Sequence, residues 1–170
     1  DEGRLPLPEA DMVIQALSVR WHNLPTRPTS GLQDVWSAAL TDLSASAYVA
    51  VMAYLDPSAE HWRILERLRE VLARKTRRAV TVGFGPRFLH STGQLHKGGP
   101  AAGLFIQLVD DAPPALPIPE MPWDFSTVLR AQAAGDLAAL ARHGRRVVSF
   151  ALQQHPRDQI EALTESLRRL

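Results

Sequence analysis

The chain has 170 residues, 45% of them hydrophobic, with 19 Lys and Arg against 18 Asp and Glu. This composition suits one globular domain with a full-sized core and excludes a disordered chain. A formal net charge of +1 and the absence of cysteine leave no polyanion-attracting field, disulfide, thiolate zinc site or cysteine nucleophile, so nucleic acid is not an expected partner.

Pro6 and Pro8 oppose regular structure, and residues 1–8 read as an arm. Met12, Val13, Ala16, Leu17 and Trp21 recur at helical spacing, which predicts a helix over Glu9 to Trp21. Pro25 and Pro28 make 22–29 a linker, so 1–29 is an arm, a helix and a linker before a domain over 30–170. Ser30 with Gln33 is a capping-box pattern, and Leu32, Val35, Trp36, Ala39, Leu40 and Leu43 form the apolar stripe of the next helix. Tyr48 to Leu55 is a continuous apolar run, as in a strand covered on both faces. Asp56-Pro57 closes it and caps a helix buried along Trp62, Leu65, Leu68, Val71 and Leu72. The basic cluster Arg74, Lys75, Arg77 and Arg78 sits at that helix's end, where cations suit the dipole, and is read as structural.

A second strand, Ala79 to Val82, runs into the stretch densest in Gly, His, Ser, Thr and Lys, TVGFGPRFLHSTGQLHKGGP over 81–100. Gly83-Phe84-Gly85 stops the strand, and Pro86 suits a first helical turn. A helix from Pro86 to Lys97 places Arg87, His90, Gln94 and Lys97 on one face and Phe88, Thr92 and Leu95 opposite. Its N-terminus, just after a strand, suits an anion. The plain alternative is a solvated polar face that carries a histidine. Leu104 to Val109 is a third strand, followed by a proline-rich loop from Asp110 to Trp123. Asp124 caps a helix with Phe125, Val128, Leu129, Ala133, Leu137 and Leu140 inward, and Gly144 ends it in the C′ position. Val147 to Leu152 is a fourth strand, and His155-Pro156 opens a last helix.

Apolar strands alternating with helices predict an α/β fold, a three-layer αβα sandwich around a parallel sheet of four or five strands. Ligands in such sheets bind beyond the carboxyl ends of the strands. No apolar run approaches the roughly 20 residues that span a bilayer, and no signal-peptide pattern opens the chain, so no membrane partner and a cytoplasmic location are expected. The six histidines show no metal-ligand spacing, so neither metal nor cofactor is expected.

GFGPRFLHSTGQLHKGGP over 83–100, followed by GLFIQL, resembles the C-terminal sugar-isomerase part of bacterial bifunctional transaldolase/phosphoglucose isomerase proteins. The resemblance continues through Leu116-Pro117-Ile118-Pro119, Phe125, Arg130-Ala131-Gln132-Ala133 and Gly135-Asp136-Leu137 to Gly144-Arg145-Arg146-Val147, covering Tyr48 to Val148. It implies a SIS-type (sugar isomerase), flavodoxin-like domain that interconverts glucose 6-phosphate and fructose 6-phosphate. It also implies partners: a sugar phosphate, upstream SIS and transaldolase domains of a longer parent chain, and a homo-oligomeric contact. A non-catalytic sugar-phosphate-binding or oligomerisation module is the alternative.

Aldose–ketose isomerisation needs an anion cradle, an acid for ring opening and a carboxylate that moves a proton between C1 and C2 through an enediol. Candidates for the cradle are Gly85, Arg87, Ser91, Thr92, Gln94 and Lys97. His90 or His96 suits ring opening, because imidazole titrates near working pH. Glu120 on the proline-rich loop is the candidate base, with Asp110 and Asp111 beside it. On one continuous helix His90 and His96 lie about 120° apart, so they do not aim at one substrate. Packing or a subunit contact is the other reading of His96, and a solvated side chain that of Lys97.

Overall fold

The computed structural model describes residues 9–153 and 155–170; the arm expected over 1–8 lies outside them. In chain order the elements are β1 (Met12–Ile14), β2 (Leu17–His22), α1 (Leu32–Leu40), β3 (Tyr48–Tyr54), α2 (Ala59–Thr76) and β4 (Ala79–Phe84). A 3-10 turn (Arg87–His90) and α3 (Thr92–Gly98) follow, then β5 (Gly103–Asp110), α4 (Phe125–Arg142), β6 (Arg146–Leu152) and α5 (Pro156–Arg168).

The strands form one sheet in the order β1-β2-β6-β5-β3-β4. β4, β3, β5 and β6 are parallel, the expected sheet of a three-layer α/β sandwich. β3 and β5 are apolar almost throughout because helices cover both of their faces. Val49, Val51 and Ala53 join the core beneath α1, α2 and α5, with Trp36, Leu65, Leu68 and Phe150. Ala50, Met52 and Tyr54 alternate to the other face and pack with Phe88, Phe105 and Leu137 under α4. The chain steps from β3 out to β4 and then crosses back to β5 on the far side of β3. Between the carboxyl ends of β3 and β5 lies the switch point, where open α/β sheets form a ligand crevice.

Six strands replace the expected four or five, and the difference lies at the N-terminal side. Residues 9–21 do not form the expected helix. β1 and β2 make an antiparallel hairpin, and β2 pairs antiparallel with β6, so this segment belongs to the sheet. Gln15 and Ala16 turn the hairpin with φ of 48° and 62°, the backbone of a two-residue primed turn, without the Asn or Gly that usually marks one.

Helix ends follow the sequence in part. Asp124 caps α4, its Oδ1 accepting from the Thr127 N–H at 2.7 Å, and Gly144 at φ 68° ends the helix as expected. The N-cap of α2 is Ser58 rather than Asp56. The Ser30 capping box does not form: Gly31 is the N-cap of α1, and Thr29 and Ser30 donate to Asp34 instead.

Candidate active site at the carboxyl edge of the sheet

Beyond β4 the chain turns at Gly85, whose N–H donates to the Ala53 carbonyl at 2.8 Å. A Cβ at this position would stand 2.6 Å from the nearest atom of the Tyr54 ring, so only glycine lets the turn lie on it. The same hydrogen bond spends the N–H expected to cradle an anion, which removes Gly85 from that role.

The helix expected over 86–97 is broken. Arg87–His90 is a 3-10 turn, Ser91 takes φ −133° and ψ −103°, and α3 starts afresh at Thr92. Phe88 accounts for the break. Its ring is buried edge-on to Tyr54 with centroids 5.7 Å apart, in space left open by Gly83 and Gly93, where added Cβ atoms would come within 3.2 and 3.3 Å of the ring.

The break overturns the assignment of faces. Thr92 and Leu95, expected opposite the polar face with Phe88, are exposed. Arg87, His90, Ser91 and Gln94 are exposed as well. Gln94 Nε2 donates to the Leu89 carbonyl at 2.7 Å and Ser91 Oγ to the Phe88 carbonyl at 3.4 Å, so both brace the turn. The side chains of Arg87 and His90 make no hydrogen bond or ion pair among the described residues.

His96 and Lys97 point inward. His96 is buried, its Nδ1 2.9 Å from Tyr48 Oη and its ring 5.0 Å from that of Phe105. His96 packs on Tyr48, which begins β3, whereas His90 is exposed beyond the end of β4, so the two histidines do not face one site. Burial pushes the His96 imidazole below its ordinary 6.5, against the pull of Asp136. Lys97 Nζ lies 2.7 Å from Asp136 Oδ1, with side chains 20% and 2% exposed. Tyr54 Oη donates to Asp136 Oδ2 at 3.2 Å, and burial, with Asp136 adding to it, raises the phenol far above its usual range. Arg145 Nη2 donates to the carbonyls of Lys97 and Gly99 at 2.6 and 2.5 Å and closes the end of α3. The Lys97 ammonium therefore ties α3 to α4, and the polar triad sits under the exposed Arg87–His90 turn.

Glu120 is exposed, at φ 65°, on the loop that follows β5. β3 stands between β5 and β4, so the base of that loop is about 10 Å from the Gly85 turn. Asp110 is the better placed carboxylate. It ends β5 at the switch point, accepts from the Ala112 N–H at 3.0 Å, and is raised by burial above its ordinary 3.8. Asp136 was the readable signal that sequence reasoning missed: a carboxylate on the inner face of α4, between Ala133 and Leu140.

The sign of the His96 shift gives an expected result. The depressed folded value means that His96 stabilises the fold fully above pH 6.5, and this contribution is lost as pH falls through the folded value. Urea unfolding at about pH 7 and about pH 5 should show wild type losing more stability than His96→Gln, which cannot take up the proton. Equal losses would mean that His96 does not titrate in this window.

No family model matches the sequence, and no curated protein matches it. Among solved structures the chain is similar to a hypothetical protein of Thermus thermophilus, with a TM-score of 0.59 and 22% identity. The match covers 79% of this chain and 36% of that one, so the chain spans about a third of its neighbour's length. The likeness is one of fold.

Proposed function

We propose that the chain is the C-terminal sugar-isomerase domain of a glucose-6-phosphate isomerase, joined in its parent protein to an upstream sugar-isomerase domain and a transaldolase. One observation carries the proposal: Arg87 and His90 stand free just beyond a parallel strand, and half-buried Asp110 ends β5 beside the switch point. Arg87 then receives the phosphate of the sugar, with the Ser91 and Thr92 hydroxyls beside it. His90 handles the proton for ring opening. Asp110, raised toward neutrality by burial, moves the proton between C1 and C2. The turn bearing Arg87 and His90 faces outward, so the upstream domain supplies the surface that closes over the substrate and excludes water.

Arg87 touches no other described side chain through a polar bond, so its removal should leave the fold intact. Arg87→Ala in the parent protein is expected to raise the KM for fructose 6-phosphate at least about tenfold, the loss of one charge-assisted phosphate contact, with an unchanged melting temperature. An unchanged KM would remove the phosphate role.

A further inference from the structure

On the same edge, between the proline-rich loop and the first turn of α4, lies an open cavity of about 420 Å³. None of the candidate cradle or catalytic residues lines it. Its walls include Pro117, Met121 and Trp123, with Asp124, Thr127 and Arg130 as its polar groups. Arg130 is 6% exposed. One guanidinium nitrogen, Nη1, donates to the Asp111 carbonyl at 3.0 Å, and the Asp111 carboxylate stays 3.8 Å away. Nε is buried with no hydrogen-bond partner, and Nη2, which makes no hydrogen bond among the described residues, keeps accessible surface. A guanidinium so little satisfied favours an oxyanion on its open Nη2 edge.

Asp124 sets the second requirement. Its Oδ1 accepts from Ser126 Oγ and the Thr127 N–H at 2.6 and 2.7 Å. These bonds hold the carboxyl down at about 2, so it is a carboxylate. The first-turn donor of α4 is thereby taken, and the Thr127 hydroxyl adds to the hold on the carboxylate. A bare anion meets repulsion there, whereas a ligand with hydroxyl donors on that side does not. Trp123, 46% exposed, offers a flat apolar wall to a carbon skeleton. The volume suits a small metabolite.

We infer that this cavity is a binding site for a small hydroxylated oxyanion, its anionic group on Arg130, its hydroxyls on Asp124 and its skeleton against Trp123. The site is distinct from the Arg87–His90 turn and does not depend on the isomerase reading.

The test follows the Trp123 indole N–H in nitrogen-15 spectra, assigned through Trp123→Phe, during titration with glycerol 3-phosphate, inorganic phosphate and glycerol. Glycerol 3-phosphate is expected to move the resonance saturably, inorganic phosphate to bind at least tenfold more weakly, and glycerol to leave it in place. Arg130→Gln should lose at least tenfold in affinity, and Asp124→Ser, which keeps a capping oxygen, should narrow the preference over inorganic phosphate. If Arg130→Gln does not fold, Arg130→Lys serves instead, since a lysine cannot reproduce the planar guanidinium fork and should also weaken binding. Arg87→Ala should bind as wild type does. An unmoved Trp123 resonance, an Arg130 variant of unchanged affinity, or a loss on Arg87→Ala would each overturn the assignment.

Discussion

Asp136→Ala is expected to lower the unfolding free energy by about 3 kcal/mol, the lower end of the range for breaking a buried ion pair, since Lys97 retains some exposure. Two groups lose their partner at once. The Lys97 ammonium is left without its carboxylate, and the buried Tyr54 hydroxyl loses its acceptor. The charge explains most of the cost, so the double variant Lys97→Met with Asp136→Leu should recover a large part of it by leaving no orphaned ion. Urea unfolding of the three proteins decides the matter. A single variant within about 0.5 kcal/mol of wild type would mean that the pair does not hold α3 to α4. The amides of α3 should also exchange faster in Asp136→Ala, because α3 is short and the Lys97 tie spans it to α4.

Gly85→Ala should cost a similar amount for the opposite reason, too much matter rather than too little. The new methyl would stand 2.6 Å from Tyr54 Cε1 and 2.8 Å from two further ring atoms. That ring cannot withdraw: it is fully buried, meets Phe88 edge-on, and is tethered by its hydroxyl to Asp136. Overpacking of this kind costs about 3 kcal/mol, which in a domain of this size lowers the melting temperature by about 6–12 °C. Gly135→Ala is the control, since a Cβ there meets nothing within 4 Å. Calorimetry showing the two variants alike would refute the close approach of the turn to Tyr54.

The parallel part of the sheet could be read from the sequence because buried strands announce themselves. Tyr48 to Tyr54 and Gly103 to Asp110 are nearly uninterrupted apolar runs, and their bounds came within a residue or two. The N-terminal hairpin hid behind a coincidence. Met12, Val13, Ala16, Leu17 and Trp21 satisfy a helical period, yet Leu17, Val19 and Trp21 also alternate, and the turn at Gln15 and Ala16 lacks the residues that usually mark one. The central motif was located correctly as a chemically dense turn after β4, but a helical wheel cannot foresee that Phe88 is swallowed between two glycines. That one insertion breaks the helix at Ser91, buries His96 and turns Lys97 inward onto Asp136. The Arg130 cavity was invisible because its walls come from a loop and a helix whose meeting depends on the path of the prolines.

The pairing of β2 with β6 also bears on the order of assembly. Leu17 lies opposite Leu152 and His22 opposite Val147, so β2 waits for a strand made only after β3, β4 and β5. The isolated hairpin is marginal by itself, and closing so long a loop slows folding. A ribosome product stopped before residue 146 leaves both β2 and the apolar β5 with open edges. Such edges pair with whatever strand is nearest, so truncated or slowly translated chains are where this protein will aggregate.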